Sequence, residues 1–163
     1  MMIYGIGCVD QQFGIGFQNA LPTWNLPHDM RRFRELTKDN IVVMGRSTYA
    51  SIGNKPLKDR KLNIIITSNP DKYESIANEV VFMTLDQWLE YTTKTNDDFY
   101  VIGGASLWKS CYHQIDVFYL SFANDTFVCD TYFDRFSWND WLIEKRENYK
   151  EYKFYILKNN MVQ

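Results

Sequence analysis

The sequence predicts a single α/β domain over residues 1–163, with a central, mostly parallel β-sheet flanked by helices and an antiparallel C-terminal edge. Three observations predict it. Short apolar runs alternate with helical segments, the order expected of parallel strands joined by crossover helices. The last stretch, Asp140 to Leu157, alternates aromatic with polar residues as antiparallel edge strands do. The chain is 163 residues long and carries 5 Trp, 11 Tyr and 11 Phe, enough to fill one sizeable core.

Met2 to Val9 reads as the first strand, and Asp10 to Thr23 as a loop rich in Gly, Gln and Asn. A helix follows, with Asn25 as its expected cap and Pro27 in its first turn. Asn40–Met44 is a continuous apolar run, the mark of a strand covered on both faces. A short helix begins after Gly45. Leu62–Thr67 and Phe99–Ile102 read as buried strands and Val80–Met83 as a further strand, with a helix over Asp86–Thr92 between the last two. Gly103-Gly104 opens a helix to about Cys111, and Val117–Phe122 is another strand.

The composition excludes several functions. The net charge of −2 gives no electrostatic case for nucleic acid. No apolar run approaches the roughly 18 residues that span a bilayer, and Met1–Gly5 lacks a basic leader. Cys8, Cys111 and Cys129 show neither CxxC nor metal spacing, and so sparse a count fits a reducing cytosol. His28 and His113 are too isolated for a metal cluster. No GxSxG, HExxH or Cys–His pair is present, so covalent or metal catalysis is not expected.

Asp29 is the informative ionisable residue. At about 100° per residue, Leu26, Met30, Phe33 and Leu36 share one sector of the helix, and Asp29 projects into it. Arg31, Arg32 and Arg34 fall opposite, as a solvated face, so no local cation is expected beside Asp29. A carboxylate facing a core needs a partner or becomes neutral. That partner is either a ligand with hydrogen-bond donors or ordinary backbone and a distant arginine.

In such a sheet, ligands bind at the C-terminal ends of the strands. Two of these ends are glycine-rich, Met44-Gly45-Arg46-Ser47-Thr48 and Ile102-Gly103-Gly104-Ala105-Ser106-Leu107-Trp108. The first offers helix N–H groups, a cation and hydroxyls to a phosphate; the second permits close approach of a diphosphate or flat ring. Each is also readable as a plain tight turn from strand to helix. Neither carries GxGxxG or GxxxxGK[ST]. Gly5-Ile6-Gly7 is read as close strand packing. One carboxylate and two such turns suggest a cofactor that does the chemistry and a polar heterocycle held by the acid.

Taken together the chain resembles dihydrofolate reductases. The resemblance rests on Gly14-Ile15-Gly16, Asn19-Ala20-Leu21-Pro22, Trp24 to Asp29, Phe33, Val43 to Thr48, Ser51-Ile52-Gly53, Pro56-Leu57 with Arg60, Ile102-Gly103-Gly104 and Asp130 to Phe133. It implies reduction of 7,8-dihydrofolate to tetrahydrofolate by NADPH, in support of one-carbon metabolism and thymidylate synthesis, by a cytoplasmic monomer without nucleic-acid or membrane partners and open to antifolates. It implies that Asp29 anchors the pterin, that Trp24 holds an active-site water, and that Ser121, where the family usually has Thr, bonds the acid. Phe33, Ile6, Ile52, Leu57 and Ile102 would line the substrate pocket, and Arg60 would pair with the glutamate tail. Arg46 would meet the 2′-phosphate of NADPH, Ser47 and Thr48 the diphosphate, and Thr67 and Ser68 the adenosine side, with Gly45 also among the cofactor-binding residues. Gly103 to Leu107 (including Gly104, Ala105 and Ser106) would pass under the diphosphate and nicotinamide, with Ile102 and Trp108 also among the cofactor-binding residues. The loop from Gln11 to Thr23, with Ile15, Gly16, Asn19, Ala20 and Leu21, would close over the nicotinamide, tethered by Asp130.

The chain departs from the family at Thr23, which stands between Pro22 and Trp24 where Leu-Pro-Trp normally runs unbroken, and at Trp108, where Tyr is common. Two other readings compete. One is the pyrimidine reductase of riboflavin synthesis, which shares the fold but lacks the acid-bearing helix motif. The other is a non-catalytic folate- or nucleotide-binding module.

Overall fold

A computed structural model describes residues 1–16 and 26–161. Its centre is an eight-stranded sheet in the order β5-β4-β3-β6-β1-β7-β10-β9. The strands are β1 (Ile3–Val9), β3 (Ile41–Gly45), β4 (Leu62–Ile66), β5 (Val80–Met83), β6 (Phe99–Val101), β7 (Val117–Ala123), β9 (Trp141–Asn148) and β10 (Tyr152–Asn159). From β5 to β7 every neighbouring pair is parallel, and β10 joins β7 and β9 antiparallel. The strand expectations are met to within a residue or two, and the antiparallel end lies at the C-terminus. A separate two-stranded pair, β2 (Gly14–Gly16) with β8 (Thr131–Tyr132), was not foreseen; at three and two residues neither strand is long enough to show a period.

The apolar runs are strands buried on both faces. In β3 and β4, Ile41, Val43 and Ile64 point to one face, and Val42, Met44 and Ile65 to the other, as the period of two requires. Helices α3 (Leu85–Thr92) and α4 (Ala105–Ser110) cover the first face through Trp88, Leu107 and Trp108. Helices α1 (Pro27–Thr37) and α2 (Arg46–Ser51) cover the second through Phe33, Leu36 and Tyr49. The start of α3 is fixed by a reciprocal pair, Thr84 Oγ1 accepting from the Gln87 N–H and Gln87 Oε1 from the Thr84 N–H, so the helix begins one residue earlier than its apolar pattern suggests.

Helix α1 corrects two expectations. Its N-cap is Leu26, which makes no side-chain cap, and Asn25 lies outside the described residues; Pro27 holds the first turn as expected. Met30 is 50% exposed, because the stripe that reaches the sheet runs through Phe33 and Leu36.

Gly5 and Gly7 provide the close packing expected of them. A β-carbon at Gly5 would lie 2.7 Å from the Phe118 ring, and one at Gly7 would lie 2.4 Å from the Trp108 ring. Trp108 is locked there by its indole N–H, which donates to the Val101 carbonyl at 3.1 Å. Gly7→Ala is therefore expected to lower the unfolding free energy by about 1–3 kcal/mol, as overpacking does. Urea denaturation against the parent chain measures it.

Candidate functional site

Because β1, β3, β4, β6 and β7 are parallel, their C-terminal ends form one edge of the sheet, and Gly45, Thr67, Ile102 and Gly103 lie along it. Gly45 ends β3 and Gly103 follows β6 on the neighbouring strand. The Gly45 N–H donates to the Gly103 carbonyl at 2.8 Å, so the two glycine turns form one unit. Gly103 has φ +127°, a conformation that favours glycine, and the Gly103–Gly104 peptide is cis. A β-carbon at Gly104 would come within 3.3 Å of Thr48 Oγ1 and 3.9 Å of Ile15. Thr48, Gly103, Gly104 and Ile15 are thus brought together, with no side chain capping the helices that open at Gly45 and Gly104.

Arg46 lies beside this unit. One guanidinium nitrogen donates to Asn54 Oδ1 at 2.9 Å, and the group stacks over Tyr73 at 4.8 Å. Its Nε is buried and has no hydrogen-bond partner among the described residues. Ser47 is exposed, as is Ser68, while Thr67 is half-buried at the end of β4 with its N–H on the Met83 carbonyl. Ala105, Ser106 and Leu107 form the first turn of α4. Trp108 turns its ring into the core between Gly7 and Gly103 and backs the glycine turn from beneath.

Asp29 occupies the first turn of α1 and faces β7. Ser121 Oγ donates to Asp29 Oδ1 at 2.5 Å, the contact expected of a hydroxyl there. The expectation of no nearby cation is overturned. Arg32 Nη1 lies 3.3 Å from the same oxygen, one helical turn on. Arg32 is not part of a solvated face: its side chain is 16% exposed, against 19% for Asp29, and its guanidinium lies 3.8 Å over the Phe154 ring. The helical wheel counted residues around α1 alone and could not include the aromatic wall that β10 brings beside it. Both contacts fall on Oδ1, and among the described residues Oδ2 receives no hydrogen bond.

Burial holds the Asp29 carboxyl above the usual carboxylate range, against the opposing effects of Ser121, Arg32 and His28. Cys8, paired in register with Ser121, has its thiol pushed far up by burial and by Asp29, which leaves it inert as a nucleophile.

Phe33, Ile6, Ile52, Leu57 and Ile102 join one apolar cluster on the α1–α2 face. At its far end Arg60 donates through Nε to Thr37 Oγ1 at 3.0 Å and through Nη1 to the Lys58 carbonyl, and lies 5.7 Å from the Phe33 ring centre. Burial lowers its pKa. Asn19, Ala20, Leu21, Thr23 and Trp24 lie outside the described residues.

Asp10 was missed by the sequence reading. It is fully buried, and its carboxylate accepts from the N–H groups of Gln12, Gly14 and Phe127 at 2.8, 2.8 and 3.0 Å. It ties the start of the loop after β1 to the segment before β8, where the sequence reading had placed only Asp130. The signal was available: an Asp four residues before a Gly at a strand end marks a side-chain-stabilised turn. Asp130 is exposed and accepts from Thr131 Oγ1.

No disulfide joins Cys8, Cys111 and Cys129. Among the described residues no helix is long and apolar enough to cross a membrane, and no group of three or more His, Cys, Asp or Glu side chains could hold a metal ion.

The fold and its edge define a class: an α/β protein with two abutting glycine turns at the C-terminal edge of its parallel strands, an apolar cluster on the α1–α2 face and a part-buried acid, Asp29, in the first turn of α1. Comparison with known proteins places it further. The family model for dihydrofolate reductase matches residues 2–160. The dihydrofolate reductase of Bacillus subtilis is 34% identical over 153 residues, covering 93% of this chain and 88% of that one. That of Enterococcus faecium is 32% identical over 151 residues, covering 90% and 86%. The solved dihydrofolate reductase from Enterococcus faecalis, complexed with NADP(H) and RAB-propyl, superposes with a TM-score of 0.85 at 29% identity, covering 98% of this chain and 97% of that one. The chain belongs to the dihydrofolate reductase family.

A raised folded-state pKa stabilises the fold below the unfolded value of about 3.9, and that contribution is lost as pH rises through the folded value. Asp29→Asn removes the cost of burying the ionised form. The variant is therefore expected to be more stable than the parent at pH 7, with the difference shrinking toward pH 4. Thermal melts at the two pH values check the direction.

Proposed function

We propose that this chain reduces 7,8-dihydrofolate to 5,6,7,8-tetrahydrofolate with NADPH and that Asp29 anchors the substrate. The observation that carries the reading is Asp29 itself, a carboxylate buried over an apolar wall and hydrogen-bonded on one oxygen by Ser121. A pterin offers parallel donors, its 2-amino group and N3–H, and an ionised carboxylate accepts both. The bound anion favours the protonated substrate that accepts hydride. Asp29 need not hand its own proton to N5, since water can do so.

Phe33 and its apolar neighbours hold the ring and the benzoyl group, and Arg60, already pinned by Thr37, is suited to a fork-to-fork contact with the glutamate tail. The residues present fit the cofactor. The cradle at Gly104 that a β-carbon would fill, the uncapped turns at Gly45 and Gly104, and the orphaned Arg46 Nε together suit a phosphorylated dinucleotide. When bound, NADPH supplies the hydride. Arg46 would hold its 2′-phosphate, Ser47 and Thr48 its diphosphate, and Thr67 and Ser68 its adenosine side. The reading extends to a single-domain cytoplasmic monomer, and the absence of disulfides is in keeping with that compartment.

The test is loss of NADPH absorbance with dihydrofolate across pH 5 to 9; no turnover anywhere in that range would overturn the reading. Asp29→Asn is expected to lose at least about 100-fold in activity at neutral pH, as when one transition-state contact is removed. It should recover in part at low pH, where dihydrofolate is already protonated. Arg46→Gln is expected to raise KM for NADPH about tenfold and to change that for NADH far less, since only NADPH carries the phosphate. Steady-state kinetics with both cofactors checks this.

A further inference from the structure

We propose that Arg32 is a positioning residue for the reaction: clamped by the aromatic rings of the β9–β10 hairpin, it holds Asp29 oriented and ionised for the pterin. The proposal rests on the reading of Asp29 as the substrate anchor, and deepens it.

Arg32 is held from several directions. Nη1 donates to the Tyr152 hydroxyl at 3.0 Å and to Asp29 Oδ1 at 3.3 Å. Nη2 donates to the Tyr149 hydroxyl at 2.9 Å. The guanidinium lies 3.8 Å over the Phe154 ring and 5.3 and 5.7 Å from the ring centres of Tyr149 and Tyr152, which stack on each other at 4.8 Å. The Tyr149 hydroxyl donates in turn to Glu147 Oε2 at 2.7 Å. A polar chain thus runs from Glu147 on β9 through Tyr149 and Arg32 to Asp29, and on to Ser121 in β7.

Three features make this more than a staple for the hairpin. An exposed ion pair contributes little, but this one is desolvated on both sides, where a cation acts strongly on a neighbouring acid. A guanidinium is planar and weakly hydrated, so it can stack on Phe154 and still direct an N–H at a carboxylate, which a lysine cannot do. Arg32 and Ser121 both take Oδ1, which orients the carboxylate and, among the described residues, leaves Oδ2 open to a ligand's donor.

Other groups face this pair and enter any pH dependence. They are His28 on α1, whose Nδ1 lies 2.8 Å from the Tyr152 hydroxyl; Cys8 on β1; Glu147, Tyr149 and Tyr152 on the hairpin; and Lys150 and Glu151 at its turn, which line a groove with His28. Because His28 also acts electrostatically on Asp29, the test is run in the native chain and in a His28→Gln background.

The experiment follows the Asp29 carboxyl by ¹³C NMR in the ligand-free full chain, assigned with Asp29→Asn, beside the pH profiles of kcat/KM and kcat for dihydrofolate at saturating NADPH. Arg32→Gln is expected to move the Asp29 titration upward by about one pH unit or more in both backgrounds. The acid limb of kcat/KM, which reports the free enzyme, should move in the same direction, while kcat at neutral pH changes much less. Arg32→Lys, which keeps the charge but loses the stack, should fall between. A folded Arg32→Gln with the titration and the acid limb unmoved overturns the proposal, and so does a moved titration with an unmoved acid limb. If Arg32→Gln does not fold, Tyr149→Phe removes the Nη2 contact and is expected to shift both readouts the same way by less; no shift overturns the proposal. The NMR arm needs no turnover, so an inactive parent chain would refute the reductase reading while the titration still decides whether Arg32 governs Asp29.

Discussion

The hydrogen bond from Ser121 to Asp29 joins the two halves of this molecule's chemistry. It fastens the first turn of α1 to the end of β7 and places a carboxylate where water is largely excluded. Ser121 reaches it because β7 lies beside β1 and stays in register with it through Cys8, which keeps the strand end at the mouth of the sheet. An acid at that point carries a desolvation cost that Ser121, Arg32 and the favourable end of the helix dipole only partly offset.

The second constraint is backbone geometry. The Gly45–Gly103 hydrogen bond locks two strand ends into one turn unit, and Trp108 beneath it removes the freedom to shift. The two sites therefore rest on different physics. One is a side chain placed against its solvation preference, and the other is backbone brought close because β-carbons are missing. Both hang from strands β1, β3, β6 and β7, so the distance between them is set by strand spacing in a parallel sheet and not by a loop.

Much of this was legible in the sequence, for reasons specific to each residue. Strands such as Ile41–Gly45 and Leu62–Ile66 show themselves because burial on both faces leaves no polar alternation. Asp29 showed itself as a charge in an apolar stripe, and Ser121 through its place in a motif. Arg32 did not, because a helical wheel ranks residues by their own helix and cannot see Phe154, 122 positions away, arriving beside it. The β2–β8 pair was missed for the same reason: its two strands are remote in sequence and too short to carry a period, whereas Asp10 left a local signal in Gln12 and Gly14 and only its bond from Phe127 is remote.

The aromatic hairpin shows why such remote contacts matter to the site. Tyr149, Tyr152 and Phe154 surround a guanidinium, and the antiparallel pairing of β9 with β10 fixes their spacing. A cation so confined cannot swing to solvent, so its effect on Asp29 does not average away as it would on an exposed helix face. The β9–β10 edge, far from the glycine turns and outside the parallel core, is then not mere trim on the sheet. It supplies the rings and hydroxyls that hold Arg32 beside Asp29, while the parallel strand β7 supplies Ser121 to the same carboxylate oxygen.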